Sequence, residues 1–467
     1  MTILVLTADP LPLPGLAATG AGLRAWSLAE GLKSAGLEAR AAMPAVLLAG
    51  RADPEAEPYR GHVYPAFDAA DFVERCGADV VVVQHWGMLS RLARSHCPLA
   101  LDLAGPHLLE RRHWGHEDLS ADLAEKIEAL SRADFVVCSG RDQRLYFLAW
   151  LTMAGFDPAD ADLCPVIPFS WSPEGPPPRA YPPGGGKEVL FLAGGVLLPW
   201  QDPRPAVEAL LAELDEAGRG RLLYCGGSHP ALNVAGSEHH ALLEMLDASP
   251  RAETSGLVAF EDWVRLLSRA DAALDLLPRN NEREMAFPTR TAIYLWGGLP
   301  VLHANYDELG RMISAYGAGW ALDPNDTAAL RLTIRRILEQ PDELAERGAA
   351  ARRLAVNELN WAKTIEPLAR FCSNPFRRTR RRVAWQAPGS ESTRLMTLER
   401  DLLLARRETE ALRGKWPFRW ARRLKRLAWL AFPLVYAAAF LGAAAALAAA
   451  LGSDLLRRRS ARSDTPS

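Results

Sequence analysis

The sequence has few cysteines and no clustering among them. Its six, Cys76, Cys97, Cys138, Cys164, Cys225 and Cys372, are spread through 467 residues with no Cys-x-x-Cys pair and no Cys/His group of ligand spacing. That excludes a zinc ribbon and a disulfide framework, and leaves buried free thiols in a reducing compartment. No Asp-x-Asp triplet stands at a predicted strand end, so no metal and no other cofactor is expected. Nor does the chain open on a basic segment and a long apolar run: Met1 leads straight into Ile3-Leu4-Val5-Leu6, which reads as a first buried strand instead of a secretory leader. Charge of one sign is not concentrated until late. The formal net charge is -2, with acidic residues spread through the first three-quarters and arginine crowded from Arg377 onward. Such segregation points to an anionic membrane surface near the C-terminus and to no nucleic-acid partner.

What is present is the composition of a folded protein, 49% hydrophobic and 24% charged, in a chain longer than one hydrophobic core comfortably serves. Short apolar runs alternate with amphipathic stretches: Ile3–Leu6, a helix from about Arg24 to Ser34, then Val80–Val83, Leu99–Leu103 and Phe135–Cys138. Alternation of this kind specifies βα units and a parallel sheet. The Pro/Gly-rich stretch from Trp171 to Gly186 can hold neither a helix nor a central strand, and marks a domain boundary. Beyond it the pattern restarts at Glu188–Leu192, Arg221–Tyr224, Gly256–Val258, Ala272–Asp275 and Leu299–Leu302, with helices over about 326–338 and 341–357. The expected fold class is therefore α/β, with Rossmann-like domains over 1–172 and 187–371, and with 361–371 able to cross back to the first.

Two motifs carry candidate chemistry. Thr19-Gly20-Ala21-Gly22-Leu23-Arg24 follows the first strand and opens a helix, where unpaired N–H groups and the positive end of the dipole suit a phosphate or a sugar oxygen. Phe287-Pro288-Thr289-Arg290-Thr291 starts a second helix, which stops at Gly297-Gly298 before the strand Pro300-Val301-Leu302. Arg290 in that first turn sits where the dipole disfavours a cation; a bound diphosphate, or an acidic side chain from elsewhere, would resolve the conflict. Asp102 and His85 end successive predicted strands of the first half, where either could orient a sugar or act as a base, although His85 beside Trp86 also fits simple packing.

Together these features resemble the family-4 glycosyltransferases that build bacterial surface polysaccharides, over about residues 1–371. The resemblance rests on the helix-Gly-x-Pro-Val arrangement, the Gly-rich turn after the first strand, Gly194-Gly195 with Trp200-Gln201-Asp202-Pro203, Gly226-Gly227 with His229, and Leu101-Asp102-Leu103-Ala104-Gly105-Pro106. It implies a GT-B fold, two Rossmann-like domains facing a cleft, and metal-independent transfer of a hexose from a nucleoside-diphosphate sugar to a lipid-linked or polysaccharide acceptor. By that analogy Gly20 and Gly22 face the diphosphate or sugar, Gly195 and Gly227 the nucleotide, and Arg290 the phosphates; beside the analogy, Thr291 and Glu284 are candidates on the donor side, and His85 and Asp102, from their strand-end positions, are the catalytic candidates. Arg290→Ala is then expected to cut turnover and leave folding intact. The chain departs from the family at Gly195, Trp200 and Gln201, where an Arg and a Lys are common, and at Ile293, where a second glutamate is common; Glu282 or Glu284 could replace the lost carboxylate, although each reads first as a solvated loop acid. Those departures keep a non-catalytic scaffold as the alternative, with a sugar-nucleotide epimerase as a third reading.

The C-terminal part has another character. A basic linker over 372–390 precedes a segment, 391–413, in which Leu395, Leu402 and Thr409 fill one heptad position and Leu398, Ala405 and Leu412 the other; an amphipathic helix and a homodimer zipper both fit. The 25 residues from Leu427 to Leu451 carry no charge and are long enough to span a bilayer. Basic clusters flank them on both sides, so orientation stays open, as does a surface-lying helix. The expected location is the inner membrane, with the catalytic domains cytoplasmic.

Overall fold

The computed structural model describes residues 1–379 apart from 49–51, 66–68, 90, 93–95, 114–118, 178, 180, 187 and 231–236, together with residues 402 and 406. The linker beyond 379, nearly all of the segment 391–413, and the run 427–451 lie outside the described residues. Among the described residues no helix is long and apolar enough to cross a membrane.

The first half is built on strands β1 (Thr2–Leu6), β2 (Glu38–Pro44), β3 (Val63–Tyr64), β4 (Val80–Val83), β5 (Leu99–Leu103) and β6 (Phe135–Cys138). They form one parallel six-stranded sheet in the order β3-β2-β1-β4-β5-β6. The second half repeats the plan with β7 (Leu190–Val196), β8 (Arg221–Gly227), β9 (Ala252–Ser255), β10 (Ala272–Asp275), β11 (Val301–Ala304) and β12 (Gly319–Leu322), in the order β12-β11-β10-β7-β8-β9. Each is the doubly wound arrangement, in which the chain reverses direction across the sheet between its first and fourth strands. The apolar runs give the reason: Val80–Val83 is buried at every position, as is Leu99–Leu103 including its single polar residue, because helices cover both faces.

One expectation on strands needs correction. Gly256–Val258 is not a strand; the ladder to β8 is made by Ala252–Ser255, an edge strand with an exposed centre that lacks the apolar run used to find strands. The strands β2, β3 and β12 were not legible as apolar runs.

The halves are joined twice, at one place. The Trp171 N–H donates to the Leu359 carbonyl at 2.9 Å, and the Trp361 N–H donates to the Trp171 carbonyl at 3.1 Å, so the outgoing and returning chains run side by side. After that crossing the helices Trp361–Thr364 and Glu366–Ser373 pack on the first half. Ile365, Leu368, Phe371 and Cys372 belong to its core, and Gly31 admits Ile365, whose Cγ1 would lie 3.0 Å from a Cβ there. Residues 361–373 thus belong structurally to the first half. Arg378 extends this docking: its N–H donates to Asp134 Oδ1 at 3.0 Å and its guanidinium lies 3.6 Å from the Phe156 ring centre, donating to the Ser131 and Gly155 carbonyls.

Candidate active site

The carboxyl ends of the two sheets face one another across a cleft of about 740 Å³. That is where ligands bind open α/β sheets, at the point of strand reversal. In the first half this point lies between β1, followed by Thr7-Ala8-Asp9, and β4, followed by Gln84-His85; in the second it lies between β7, ending near Gly195, and β10, ending at Asp275. Thr7, Asp9, Gln84, His85, Gly195 and Asp275 all line the cleft. Its rims are closed by contacts between the halves: Asp9 Oδ1 to His229 Nε2 at 3.0 Å, the Gly15 N–H to Glu261 at 2.8 Å, and Arg311 to Asp142 at 2.6 Å.

Two helix N-termini meet in the cleft. The helix Gly20–Ser34 is capped by Thr19, whose Oγ1 accepts from the Gly22 N–H at 3.2 Å. The helix Thr289–Trp296 begins after Pro288 with no side-chain cap, leaving its first N–H groups for a ligand. A Cβ on Gly20 would lie 3.3 Å from Thr289 Oγ1, so the two positive dipole ends converge.

Arg290 lines the cleft and reaches Asp275 Oδ1 at 3.3 Å and Gln201 Oε1 at 3.4 Å. Its entry over the end of β7 depends on Gly195, at φ +109°: a Cβ there would come within 2.8 Å of Arg290 Nε. Of the two ways to settle a cation in a first helical turn, the structure provides the acidic one. The guanidinium also remains at the cleft wall, 22% exposed.

Asp275 is the hub beneath Arg290. It is buried and accepts from the Thr291 hydroxyl, whose oxygen also lies 3.2 Å from His303 Nδ1. His303 Nε2 meets Asp307 Oδ2 at 3.0 Å, and Asp307 caps the helix Glu308–Tyr316. Burial alone would raise the Asp275 carboxyl; Arg290, then His303 and Arg283, outweigh it and hold it below the usual carboxylate range. Burial likewise disfavours charge on His303, but Asp307 prevails and raises it.

On the second half's rim Glu282 lines the cleft from the short helix Asn281–Met285. Burial, opposed by Arg283, pushes its carboxyl up to about 7, and its Oε2 has no hydrogen-bond partner. Facing it on the first half, His107 Nδ1 lies 3.1 Å from Glu110 Oε2, and His85 stacks on Trp86 with ring centres 4.9 Å apart. The Gly87 N–H donates to His85 Nδ1 at 3.0 Å, so a neutral His85 carries its proton on Nε2. The neutral ring thus presents a donor at Nε2.

Several expected site residues are elsewhere. Asp102 does not face the cleft: it is fully buried and held by Arg24, Nε to Oδ2 at 3.0 Å and Nη2 to Oδ1 at 2.9 Å, while Arg24 Nη1 donates to the Ile167 carbonyl. A two-pronged charge pair of this kind leaves no carboxylate edge for a substrate. Gly22 serves close packing, since a Cβ would fall 1.8 Å from the Pro10 carbonyl oxygen; Gly227 makes room for Leu257 Cγ, 3.2 Å from its would-be Cβ. Thr291 is buried behind Arg290. Glu284 points outward to Arg279 at 2.6 Å, so Glu282 is the carboxylate of the pair that reaches the cleft. Gly20, Gly195, Arg290 and His85 are brought together. Sequence reading missed Gln84 and Asp275, although each is the polar residue ending or following an apolar strand at a reversal point, which is the signal that finds them. Among the described residues no group of three His, Cys, Asp or Glu side chains could hold a metal ion.

No protein-family model matches the chain, and no curated protein matches it by sequence. Solved structures match it by fold. A sucrose-phosphate synthase from Thermosynechococcus elongatus superimposes with a TM-score of 0.58 at 18% identity, over 79% of this chain and 98% of that one. HepE from Anabaena, solved in complex with UDP-glucose, gives 0.56 at 16% identity over 80% and 99%. A glycosyltransferase from Rickettsia africae gives 0.53 at 14% identity over 80% and 99%. The fold is therefore the GT-B arrangement of two Rossmann-like halves.

Proposed function

We propose that the protein is a glycosyltransferase that moves a sugar from a nucleoside diphosphate to an acceptor bound in the same cleft. The observation that carries this reading is the convergence of Arg290 and two helix N-termini at the cleft between two halves of GT-B fold. A departing diphosphate develops negative charge as the glycosidic bond to it breaks. Preoriented N–H groups and a guanidinium in a site shielded from water stabilise that charge without reorganising. His85, with its proton on Nε2, would orient a hydroxyl of sugar or acceptor. Glu282 would take a sugar hydroxyl in place of the glutamate that Ile293 lacks. HepE, crystallised with UDP-glucose, supplies the analogy for donor chemistry.

The finer reading is that a hexose goes to a lipid-linked or polysaccharide acceptor in surface-glycan synthesis, without a metal. The run 427–451 would span the inner membrane and hold the catalytic halves on the cytoplasmic side, and its basic flanks would add about 1 kcal/mol per cation at an anionic leaflet. The segment 391–413 would pair two copies.

The test is thermal-shift binding of UDP-, GDP-, ADP- and dTDP-sugars to the full chain in detergent. A rise selective for one nucleotide is expected. No rise with any of them would remove the donor reading and favour a non-catalytic scaffold.

A further inference from the structure

The two reversal points differ in chemistry. The second half's is ionic, with Arg290 and Asp275. At the first half's, where Asp9 is paired with His229, there is also a neutral amide: Gln84, the residue after β4, lines the cleft and is only 4% exposed, yet neither its Oε1 nor its Nε2 has a hydrogen-bond partner. An amide buried with both ends unsatisfied is costly, and each such group calls for an explanation. Nothing in the fold requires it. The neighbouring backbone is satisfied without it, since the Gln84 N–H reaches the Leu6 carbonyl and the Tyr64 hydroxyl reaches the Thr7 carbonyl. An apolar side chain of equal length would serve packing better.

We propose that Gln84 is the recognition element of a neutral sugar subsite on the first half of the cleft, where its amide donates to one hydroxyl and accepts from the next. Two features select this ligand class. A primary amide presents a donor and an acceptor side by side, which a vicinal pair of hydroxyls matches and a phosphate, having no donor, does not. The site lies at the reversal point of its own sheet, across from the cationic one, so a ligand spanning both carries charge at one end and hydroxyls at the other. The inference deepens the transferase reading and rests on it for the identity of the charged end. The hydroxyl pair could belong to the donor's own sugar or to an acceptor sugar.

Gln84→Met, with Gln84→Leu as a second apolar variant, tests this in the full chain in detergent. The probes are UDP, GDP, UDP-glucose and GDP-mannose by calorimetry, and free D-glucose, D-mannose and D-galactose by saturation-transfer NMR. Removing an orphaned amide is expected to raise the melting temperature of the unliganded protein. Affinity for UDP or GDP stays unchanged, and about tenfold is lost for a sugar-bearing probe, the effect of one to two hydrogen bonds. Loss on the nucleotide sugar identifies the donor's sugar; loss confined to a free monosaccharide identifies the acceptor's. Unchanged affinity for every sugar probe, a wild type that binds none, or a lowered melting temperature in both variants overturns the subsite. Should the wild type bind monosaccharides but no nucleoside diphosphate, the transferase reading falls while the Gln84 arm still decides.

Discussion

Replacing Arg290 by alanine removes a ligand contact and a structural one together, and the two can be separated by pH. The guanidinium is the strongest attraction holding the Asp275 carboxyl ionised while buried. A hydrogen bond to a charged group contributes about 1.5–3 kcal/mol, and the lower end applies because Arg290 is partly exposed and Asp275 keeps Thr291. The variant should therefore lose about 1.5 kcal/mol at pH 7, or about 3–6 °C for a half of this size. The expectation from sequence is that folding stays intact, and a loss of this size lowers stability without unfolding the protein. Asp275 is depressed in the native state, so the stabilisation is present above the ordinary carboxylate value and disappears as pH falls through the native value. Urea unfolding at pH 7, 5 and 2.5 should show a constant deficit between pH 7 and 5 that shrinks below the ordinary carboxylate value, with Arg290→Lys intermediate. Affinity for a nucleoside diphosphate should fall 10–100-fold at pH 7, from loss of a two-pronged phosphate contact. A deficit independent of pH, or none, would refute the role given to the Arg290–Asp275 pair; unchanged affinity would take Arg290 out of the site.

Two further outcomes follow from buried carboxyls. Asp102→Asn strips Arg24 of its counter-charge in the core of the first half and should cost about 3–5 kcal/mol by urea unfolding, whereas a catalytic Asp102 would lose activity with little loss of stability. Glu282, raised to about 7 from 4.5, favours folding at low pH and loses that contribution as pH rises between those values, by about 3 kcal/mol at most; Glu282→Gln should flatten this part of the stability profile, and an unaltered profile would contradict it.

The plan of the fold was legible because helix-covered parallel strands are apolar throughout. Val80–Val83 and Ala272–Asp275 could be read to the residue. The edge strand Ala252–Ser255 could not, since its ladder is made by backbone and half of it faces solvent. The site was legible only where chemistry is local. A helix start marks Gly20 and Arg290 in the sequence itself, but Asp102 looked available because nothing in its neighbourhood reveals Arg24, 78 residues away. Gly22 and Gly227 misled for the same reason: a glycine needed for a passing carbonyl or a leucine reads like one needed for a ligand. Glu282 and Glu284 differ only in which side of a five-residue helix they leave.

The return of the chain to its first half means that the second half is an insertion in the path of the first. Residues 1–48 and the docked stretch 361–379 both belong to the first half, with Arg378 pinned against Phe156 and Asp134. The second half is strung between two strands of chain bound to each other at Trp171. A pull applied at Arg378 is taken up by the first half before it reaches the crossing at Trp171. Whatever holds Arg378 therefore holds the half bearing Gln84 and His85 directly, and the half bearing Arg290 and Asp275 through the Trp171 crossing and the contacts at the cleft rim.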